Sequence, residues 1–241
     1  MLYAGVEHIY SYDTAHTDAE SQKESLKTYV QAGLLSYIRF YHTYLWKDGA
    51  DFHYEQDNSY QHFLVNYGAS TSWALEMDVD EYPFMPSDLQ PSFVRRYLLK
   101  LEEVRPTVSQ VLLQCMIFAG KPQGDPEQDW VIERYQRRKH QTEGKVPGSS
   151  RQKPIFRPSM SSGRVVSFKP HIFSMKQGET SVAPADEVRM NHYWGARVTN
   201  FGPDTVEILN VLEVDNSIQP IATRLRKHSL RNSWPNYRMV R

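Results

Sequence analysis

The sequence predicts an α/β protein with a mostly parallel sheet flanked by helices. Strand and helix patterns alternate along residues 6–77, which is the order that produces parallel sheets. Two of the predicted strands end in aspartate, at Asp13 and at Asp78. Ligands of such sheets bind beyond the carboxyl ends of the strands, so we expect both positions to lie near one site.

The first strand, helix and second strand follow from short local patterns. Residues 6–12 alternate and are rich in β-branched and aromatic side chains, which favours a strand. Residues 19–33 place apolar side chains among charges and end in glycine, which predicts a helix with a glycine stop. Residues 34–41 predict the second strand.

A second helix and a third strand precede an acidic cluster. Residues 60–68 carry aromatic and apolar side chains three and four apart, which predicts a helix, and residues 72–77 predict a buried strand. Strand side chains alternate, so we expect Asp78 and Asp80 on one face and Val79 toward the interior. Paired carboxylates repel unless a cation lies between them, which predicts a hard divalent cation with oxygen ligands here. The alternative is an acidic turn exposed to solvent.

The remaining elements are less regular. We predict a helix at 91–104, a long strand at 107–118, a strand or short helix at 130–138 and two strand-like runs within 153–172. Residues 120–129, 142–150 and 178–186 have the composition of loops or linkers, residues 206–214 favour a helix, and residues 224–241 form a basic tail.

Composition excludes several classes of protein. The chain has 241 residues, 40% of them hydrophobic and 23% charged, which is ordinary for a globular protein. Its 28 basic and 28 acidic residues balance, which argues against a general nucleic-acid binder. One cysteine, Cys115, lies in an apolar run and excludes an intramolecular disulfide framework. No run approaches the ~18 apolar residues of a transmembrane segment, and no secretory signal is visible.

Five blocks, in order along most of the chain, resemble glycosyltransferase family 92 and the related family 2 domains of the GT-A fold. Asp13 ends the first block, and Asp78-Val79-Asp80-Glu81-Tyr82 resembles the metal-binding strand of these enzymes. The blocks are residues 5–13, 73–82, 130–135, 153–158 followed by His171, and 191–194 with Arg197.

The resemblance implies a Rossmann-like GT-A domain with a mixed acceptor-side part toward the carboxyl end. Residues 1–241 would form one domain, with a nucleotide-sugar and metal half at 1–90, an acceptor half at 91–223 and the basic tail at 224–241. The implied activity is metal-dependent transfer of a hexose, galactose by resemblance, from a UDP-sugar to a glycan. Members of the family work at Golgi or secretory membranes.

Two other functions are open at this stage. Relative to the family pattern, an initial strand and helix are missing before residue 5, so the chain is alternatively an impaired, truncated remnant that binds glycans or nucleotide sugars. We therefore expect an open strand edge at residues 5–12 and weak nucleotide affinity. A metal-dependent phosphohydrolase is a third hypothesis, but it needs further carboxylates after other strands, and the sequence lacks them.

Candidate metal ligands are Asp78, Asp80 and His192. Asp80 is the preferred direct ligand, and Asp78 reaches the ribose of the donor or holds a metal-bound water. His192 is either a ligand or a packed histidine, and His171 is its rival.

The other candidate residues are implied for the nucleotide and for catalysis. Asp13 accepts a hydrogen bond from a uracil-type base or caps the following helix. Lys153 and Arg197 neutralise phosphate or lie on the surface. Asp125 and Glu133 are the candidate general bases that would deprotonate an acceptor hydroxyl.

Overall fold

The computed structural model describes residues 1–15, 17–19, 21–40, 53–125, 129–139, 152–165, 172–196 and 212–229. It shows a mixed α/β protein that divides into two compact units. Unit 1 comprises Met1–Glu76, Pro91–Leu113 and Pro147–Ala183, and unit 2 comprises Met77–Gln90, Gln114–Val146 and Pro184–Arg241. The two units therefore interleave along the chain rather than dividing it at residue 90.

The described residues form twelve strands and five α-helices. In chain order they are β1 Ile9–Asp13, α1 Lys23–Gln31, β2 Leu35–Arg39, α2 His53–Asn66, β3 Ala74–Leu75, β4 Glu81–Phe84, α3 Phe93–Val104, β5 Val108–Ile117, α4 Val131–Arg134, β6 Arg137–Lys139, β7 Gln152–Phe156, β8 Ser161–Val165, β9 Phe173–Met175, β10 Glu179–Val182, β11 Arg189–His192, β12 Leu212–Val214 and α5 Gln219–Ser229. Among these residues, no helix is long and apolar enough to cross a membrane.

Unit 1 begins with the predicted strand, helix and strand. β1 and β2 pair in parallel, from Ile9 opposite Leu35 to Asp13 opposite Arg39, and form a two-stranded sheet. Gly33 ends the α1 segment with φ of +71°, a left-handed conformation that favours glycine. Tyr10 of β1 stacks on Tyr67, with ring centroids 4.3 Å apart. Both strands therefore end at the same edge, as the sequence predicted.

The larger sheet of unit 1 is mixed. β7 lies between β3, which is antiparallel to it, and the first part of β5, which belongs to unit 1 as far as Leu113. β10 pairs in parallel with that part of β5. The side chains of β5 are almost continuously buried, which is typical of a central strand.

Unit 2 contains the remainder of β5, from Gln114, paired in parallel with β11. β11 pairs antiparallel with β4, so that His192 lies opposite Glu81 on one side and Ile117 on the other. Directly opposed residues point to the same face of a sheet, so Glu81 and His192 share a face. β6 and β12 form a separate antiparallel pair.

Three predictions of local structure were wrong. The predicted strand 72–77 is reduced to Ala74–Leu75, and the acidic residues that follow lie in a turn in which the Glu81 N–H donates to the Asp78 carbonyl at 3.1 Å. Val79 is 82% exposed and does not point inward. The predicted loop 178–186 contains β10. Residues 212–214 of the predicted helix 206–214 form β12, and the rest lies outside the described residues.

The two errors at β10 and β12 share a physical cause. β10 and β12 are short strands whose hydrogen-bond partners, β5 and β6, are distant in sequence, so local periodicity carries no signal for them. The sheet is also more mixed than predicted, because β3–β7 and β4–β11 are antiparallel. The α/β class is confirmed in this coarser form.

Candidate metal-binding site

The candidate site in unit 2 is built where a turn meets the end of a strand. The turn at residues 78–81 leads into β4, and the Tyr193 N–H donates to the Asp80 carbonyl at 2.8 Å. This backbone bond ties Asp80 to the residue that follows His192. The end of β11 is also fixed, because the Phe118 N–H donates to the His192 carbonyl at 2.7 Å.

The imidazole of His192 lies between two carboxylates. Its Nε2 is 3.2 Å from Asp80 Oδ2, and its Nδ1 is 3.3 Å from Glu81 Oε1. All three side chains are largely buried, with Glu81 only 1% exposed. The structure thus brings together Asp80 and His192, two predicted ligands that are 112 residues apart in sequence.

Glu81 organises the cluster, and our sequence analysis did not select it as a site residue. Its Oε2 accepts the backbone N–H of Asp78 at 2.8 Å, while its Oε1 faces His192. One oxygen of this buried carboxylate therefore holds the acidic turn, and the other lies 3.3 Å from the histidine ring. A signal was present, since Glu81 follows the Asp-x-Asp pair, but its importance depends on the β4–β11 register, which connects segments distant in sequence.

The geometry fits a divalent cation on the Nε2 side of His192. If Nδ1–H donates to Glu81, Nε2 presents a lone pair to the Asp80 carboxylate, and two acceptors at 3.2 Å repel unless a cation or proton lies between them. Adjacent ligands of an octahedral cation with bonds of about 2.1 Å lie about 3 Å apart, which is close to this spacing. The competing arrangement is the neutral tautomer in which the Nε2–H donates to Asp80 Oδ2 at 3.2 Å.

Aromatic side chains surround the cluster. Tyr193 is fully buried, stacks on Phe118 with centroids 4.9 Å apart and meets Tyr82 edge-on at 5.6 Å. Burial raises the pKa of Tyr82, and the charge of Asp80 raises it further. Gly195 has no room for a side chain, because a Cβ there would lie 2.8 Å from the Tyr135 ring. The site is therefore held by a tightly packed framework.

Cys115 belongs to the same cluster. One ligand atom each of Glu81, Cys115 and His192 lie within 4.8 Å of one another. The β4, β5 and β11 register places all three side chains on one face of the sheet. A thiolate prefers softer cations, so this set of three does not indicate Mn²⁺.

Lys153 is located in the interior of unit 1. Its side chain is 1% exposed, and its Nζ lies 3.8 Å from Oε1 of the equally buried Glu76. The Tyr60 hydroxyl donates to the same oxygen at 2.5 Å. The alternative of a surface lysine is therefore wrong, and the charge of Lys153 is compensated within the protein.

Asp13 lies in a network at the carboxyl ends of β1 and β2. Its Oδ2 accepts hydrogen bonds from Tyr37, Ser21 and the Gln22 N–H, and its Oδ1 accepts one from the Ala15 N–H. Burial alone would raise the pKa of Asp13, but these hydrogen bonds outweigh it and lower the pKa to about 2. Asp13 is not the N-cap of α1, because its carboxylate accepts the N–H of Gln22, the residue before the helix, and no N–H of the first helical turn.

A small cavity lies at this strand edge. It has a volume of about 280 Å³ and is lined by Asp18, Lys23, Tyr37 and Arg39. The position agrees with the expectation that ligands bind beyond the ends of parallel strands. Recognition of a nucleotide base by Asp13 remains a prediction.

Glu133 is held by contacts that make it a weak base. It accepts the Trp130 N–H at the start of α4 at 2.9 Å, and its Oε1 accepts a hydrogen bond from Arg226 at 3.1 Å. The hydrogen bond from Arg226 lowers the pKa of Glu133. Asp125 lies in a tight loop in which its N–H donates to Asp129 at 2.8 Å. The roles of Asp125 and Glu133 as general bases stay predictions.

His171 and Arg197 lie outside the described residues, so their predicted roles stay predictions. Comparison with known proteins adds no family: no protein-family model and no curated protein matches the sequence. The molecule is thus defined by its mixed α/β fold and by the buried cluster of Asp80, Glu81 and His192.

Proposed function

We propose that the protein is a metal-dependent glycosyltransferase of the GT-A type that transfers a hexose, galactose by resemblance, from a UDP-sugar to a glycan. The observation that carries this proposal is the 3.2 Å approach of Asp80 and His192, which come from two distant sequence blocks of the resemblance. An Asp-x-Asp turn that meets a distant histidine provides mixed oxygen and nitrogen ligands for Mn²⁺ or Mg²⁺.

The residues of the cluster have distinct roles in this proposal. Asp80 and the Nε2 of His192 bind the cation, which when bound neutralises the charge that develops on the leaving diphosphate. Glu81, whose Oε1 lies 3.3 Å from His192 Nδ1, favours the tautomer with its proton on Nδ1 and thereby keeps the Nε2 lone pair directed at the metal side. Asp78, whose backbone is held by Glu81, contacts the ribose or a metal-bound water.

Other predicted residues serve the donor and the acceptor. Asp13 and the adjacent cavity contact the nucleotide base, and Arg197 contributes positive charge toward the phosphates, whereas Lys153 is paired with the buried Glu76 and has no such role. Asp125 deprotonates the acceptor hydroxyl. Work at Golgi or secretory membranes is part of the same proposal.

A second candidate function is binding without turnover. The hydrogen bonds that the Asp13 carboxylate accepts within its own chain favour this candidate, because they compete with recognition of a base. A protein that binds without turnover would be stabilised by a UDP-sugar and a metal ion but would release no UDP.

The test is UDP release from a panel of UDP-hexoses in the presence of Mn²⁺ and a glycan mixture. We expect metal-dependent release that a chelator abolishes and that Asp80→Asn abolishes. Asp186→Asn is the matched control, because Asp186 is an exposed aspartate of the same unit. Stabilisation by a UDP-sugar without any UDP release would favour the binding function, and neither effect would overturn both candidates.

A further inference from the structure

We propose that Glu81, Cys115 and His192 form a second metal site, which binds a thiophilic divalent cation such as Zn²⁺. This site uses the Nδ1 side of His192, whereas the site of the proposed function uses the Nε2 side. Its existence does not depend on the glycosyltransferase proposal.

The distances fit tetrahedral zinc. Zinc–nitrogen and zinc–oxygen bonds are about 2.0–2.2 Å long, so adjacent tetrahedral ligands lie about 3.3–3.5 Å apart. The distance from His192 Nδ1 to Glu81 Oε1 is 3.3 Å. Cys115 contributes a sulfur atom within 4.8 Å of the other two ligand atoms, and the longer zinc–sulfur bond of about 2.3 Å brings it within reach after a small shift.

The ligand chemistry selects the cation. Thiolate and imidazole favour Zn²⁺ over Mn²⁺ and Mg²⁺, which prefer oxygen ligands. Glu81 and His192 are buried and Cys115 is partly buried, so the ligands lie in a framework of paired strands rather than on a mobile surface. Three protein ligands leave one position for water or another small ligand.

Occupation of this site changes the other side of the imidazole. When a cation occupies Nδ1, the proton of the neutral ring lies on Nε2. The Nε2–H then donates to Asp80, whose Oδ2 is 3.2 Å away. Because Nε2 no longer offers a lone pair, Zn²⁺ excludes the cation of the proposed function. This consequence, unlike the site itself, rests on that function.

The experiment uses Co²⁺ alone as a spectroscopic substitute for Zn²⁺ on the full chain under anaerobic conditions. We expect a near-ultraviolet thiolate-to-cobalt charge-transfer band at a ratio of one Co²⁺ per chain, together with intense visible bands of tetrahedral cobalt. Because the chain has one cysteine, the charge-transfer band reports on Cys115. One equivalent of Zn²⁺ should remove both signals.

Variants assign the other two ligands. Cys115→Ser should remove the charge-transfer band, and Glu81→Gln and His192→Gln should each weaken Co²⁺ binding at least tenfold. Asp80→Asn, which alters the opposite side of the ring, should retain the band, and the exposed-site variant Glu187→Gln should behave like the parent.

Absence of the charge-transfer band at saturating Co²⁺ in the parent protein would overturn the proposal, and this result needs no variant to fold. A band that persists with unchanged affinity in both Glu81→Gln and His192→Gln would also overturn it, because the sulfur would then bind cobalt without the proposed partners. The signals are read without substrate, so failure of glycosyl transfer leaves this result unaffected.

Discussion

Two buried glutamates only five positions apart in sequence, Glu76 in unit 1 and Glu81 in unit 2, have different partners. Glu76 faces the amine of Lys153, which is itself 1% exposed, and accepts a hydrogen bond from Tyr60. Glu81 faces the imidazole of His192, and imidazole is a group that exchanges protons and binds metal ions. Burial is the same in both cases, but the chemistry available differs.

This difference separates a structural charge from a functional one. The Glu76–Lys153 pair is electrically complete, so removal of either partner leaves an uncompensated buried charge. The cluster around Glu81 contains two carboxylates, Asp80 and Glu81, against one imidazole, and therefore has negative charge to offer a cation. We infer that the charge of the partner beside each glutamate, rather than the burial of the glutamate, identifies the candidate site.

The largest expected effect is on the structural pair. Lys153→Met should lower the free energy of unfolding by about 3–5 kcal/mol, because Glu76 would remain buried without its cation. Chemical denaturation measures this change, and Lys176→Met, at an exposed lysine of the same unit, is the control.

The double variant Glu76→Gln, Lys153→Met should recover part of the loss, because it removes both charges. If Lys153→Met is as stable as the parent but binds UDP more weakly, Lys153 is a phosphate-binding residue, and the contrast between the two glutamates fails.

The second prediction concerns Asp80. Asp80→Asn should reduce Mn²⁺ affinity more than 100-fold, since it removes the charged oxygen ligand nearest His192 Nε2. Stability without metal should stay level or rise, because one of the two like charges is removed. Isothermal titration calorimetry with Mn²⁺ and thermal denaturation measure the two effects, with Asp186→Asn as control.

A marked loss of stability in Asp80→Asn would instead assign the carboxylate to a structural hydrogen bond with Nε2 of His192. The variant Asp78→Asn tests the other carboxylate of the Asp-x-Asp pair. If it binds UDP and Mn²⁺ like the parent, the side chain of Asp78 is part of the turn and not of the site.

The third prediction tests whether Glu81 positions His192 for Mn²⁺ binding or has no role in it. Glu81→Gln keeps the size of the side chain and an acceptor for the Asp78 N–H, but its amide can donate to His192 Nδ1 and so favours the wrong tautomer. We expect a 10–100-fold loss of Mn²⁺ affinity with the fold retained. The measurement is calorimetry beside Glu187→Gln, and unchanged affinity would remove Glu81 from its positioning role.

The order of the early elements was predictable because it depends on local patterns. The alternating residues of β1, the amphipathic pattern of α1 and the glycine stop at Gly33 are short-range signals, and the parallel β1–β2 pair follows from them. The proximity of Asp80 and His192 was also anticipated, but through the resemblance and not through periodicity.

The remaining features were not predictable from local patterns, because they depend on strand register and on burial. The Asp-x-Asp segment looked like the end of a strand, yet hydrogen bonding to Tyr193 and Glu81 holds it as a turn with Val79 exposed. The importance of Glu81 and the burial of Lys153 follow from pairings between distant strands, β4 with β11 and β3 with β7. No local pattern encodes which distant residue will lie opposite.

The prediction with the smallest expected effect concerns Asp215. It tests whether the role of a buried carboxylate depends on its ionic partners or on the unit in which it lies. Asp215 belongs to unit 2, like Glu81, but its Oδ2 accepts hydrogen bonds from Arg138 at 2.6 Å and Arg189 at 2.9 Å. Burial alone would raise the pKa of Asp215, but hydrogen bonds from Ser217 and Arg138 and the charge of Arg189 lower it to about 2.

A lowered pKa in the folded state means that Asp215 stabilises the protein above the ordinary pKa of an aspartate, near 4. That contribution, about 2 kcal/mol, is lost as the pH falls from about 4 through about 2. The difference in unfolding free energy between the parent and Asp215→Asn should therefore shrink by this amount between pH 5 and pH 2, as measured by urea denaturation. Mn²⁺ should leave the difference unchanged, because a carboxylate neutralised by two arginines has no charge to offer a cation. A difference that is constant across this range would show that the arginines do not hold Asp215 in its charged form.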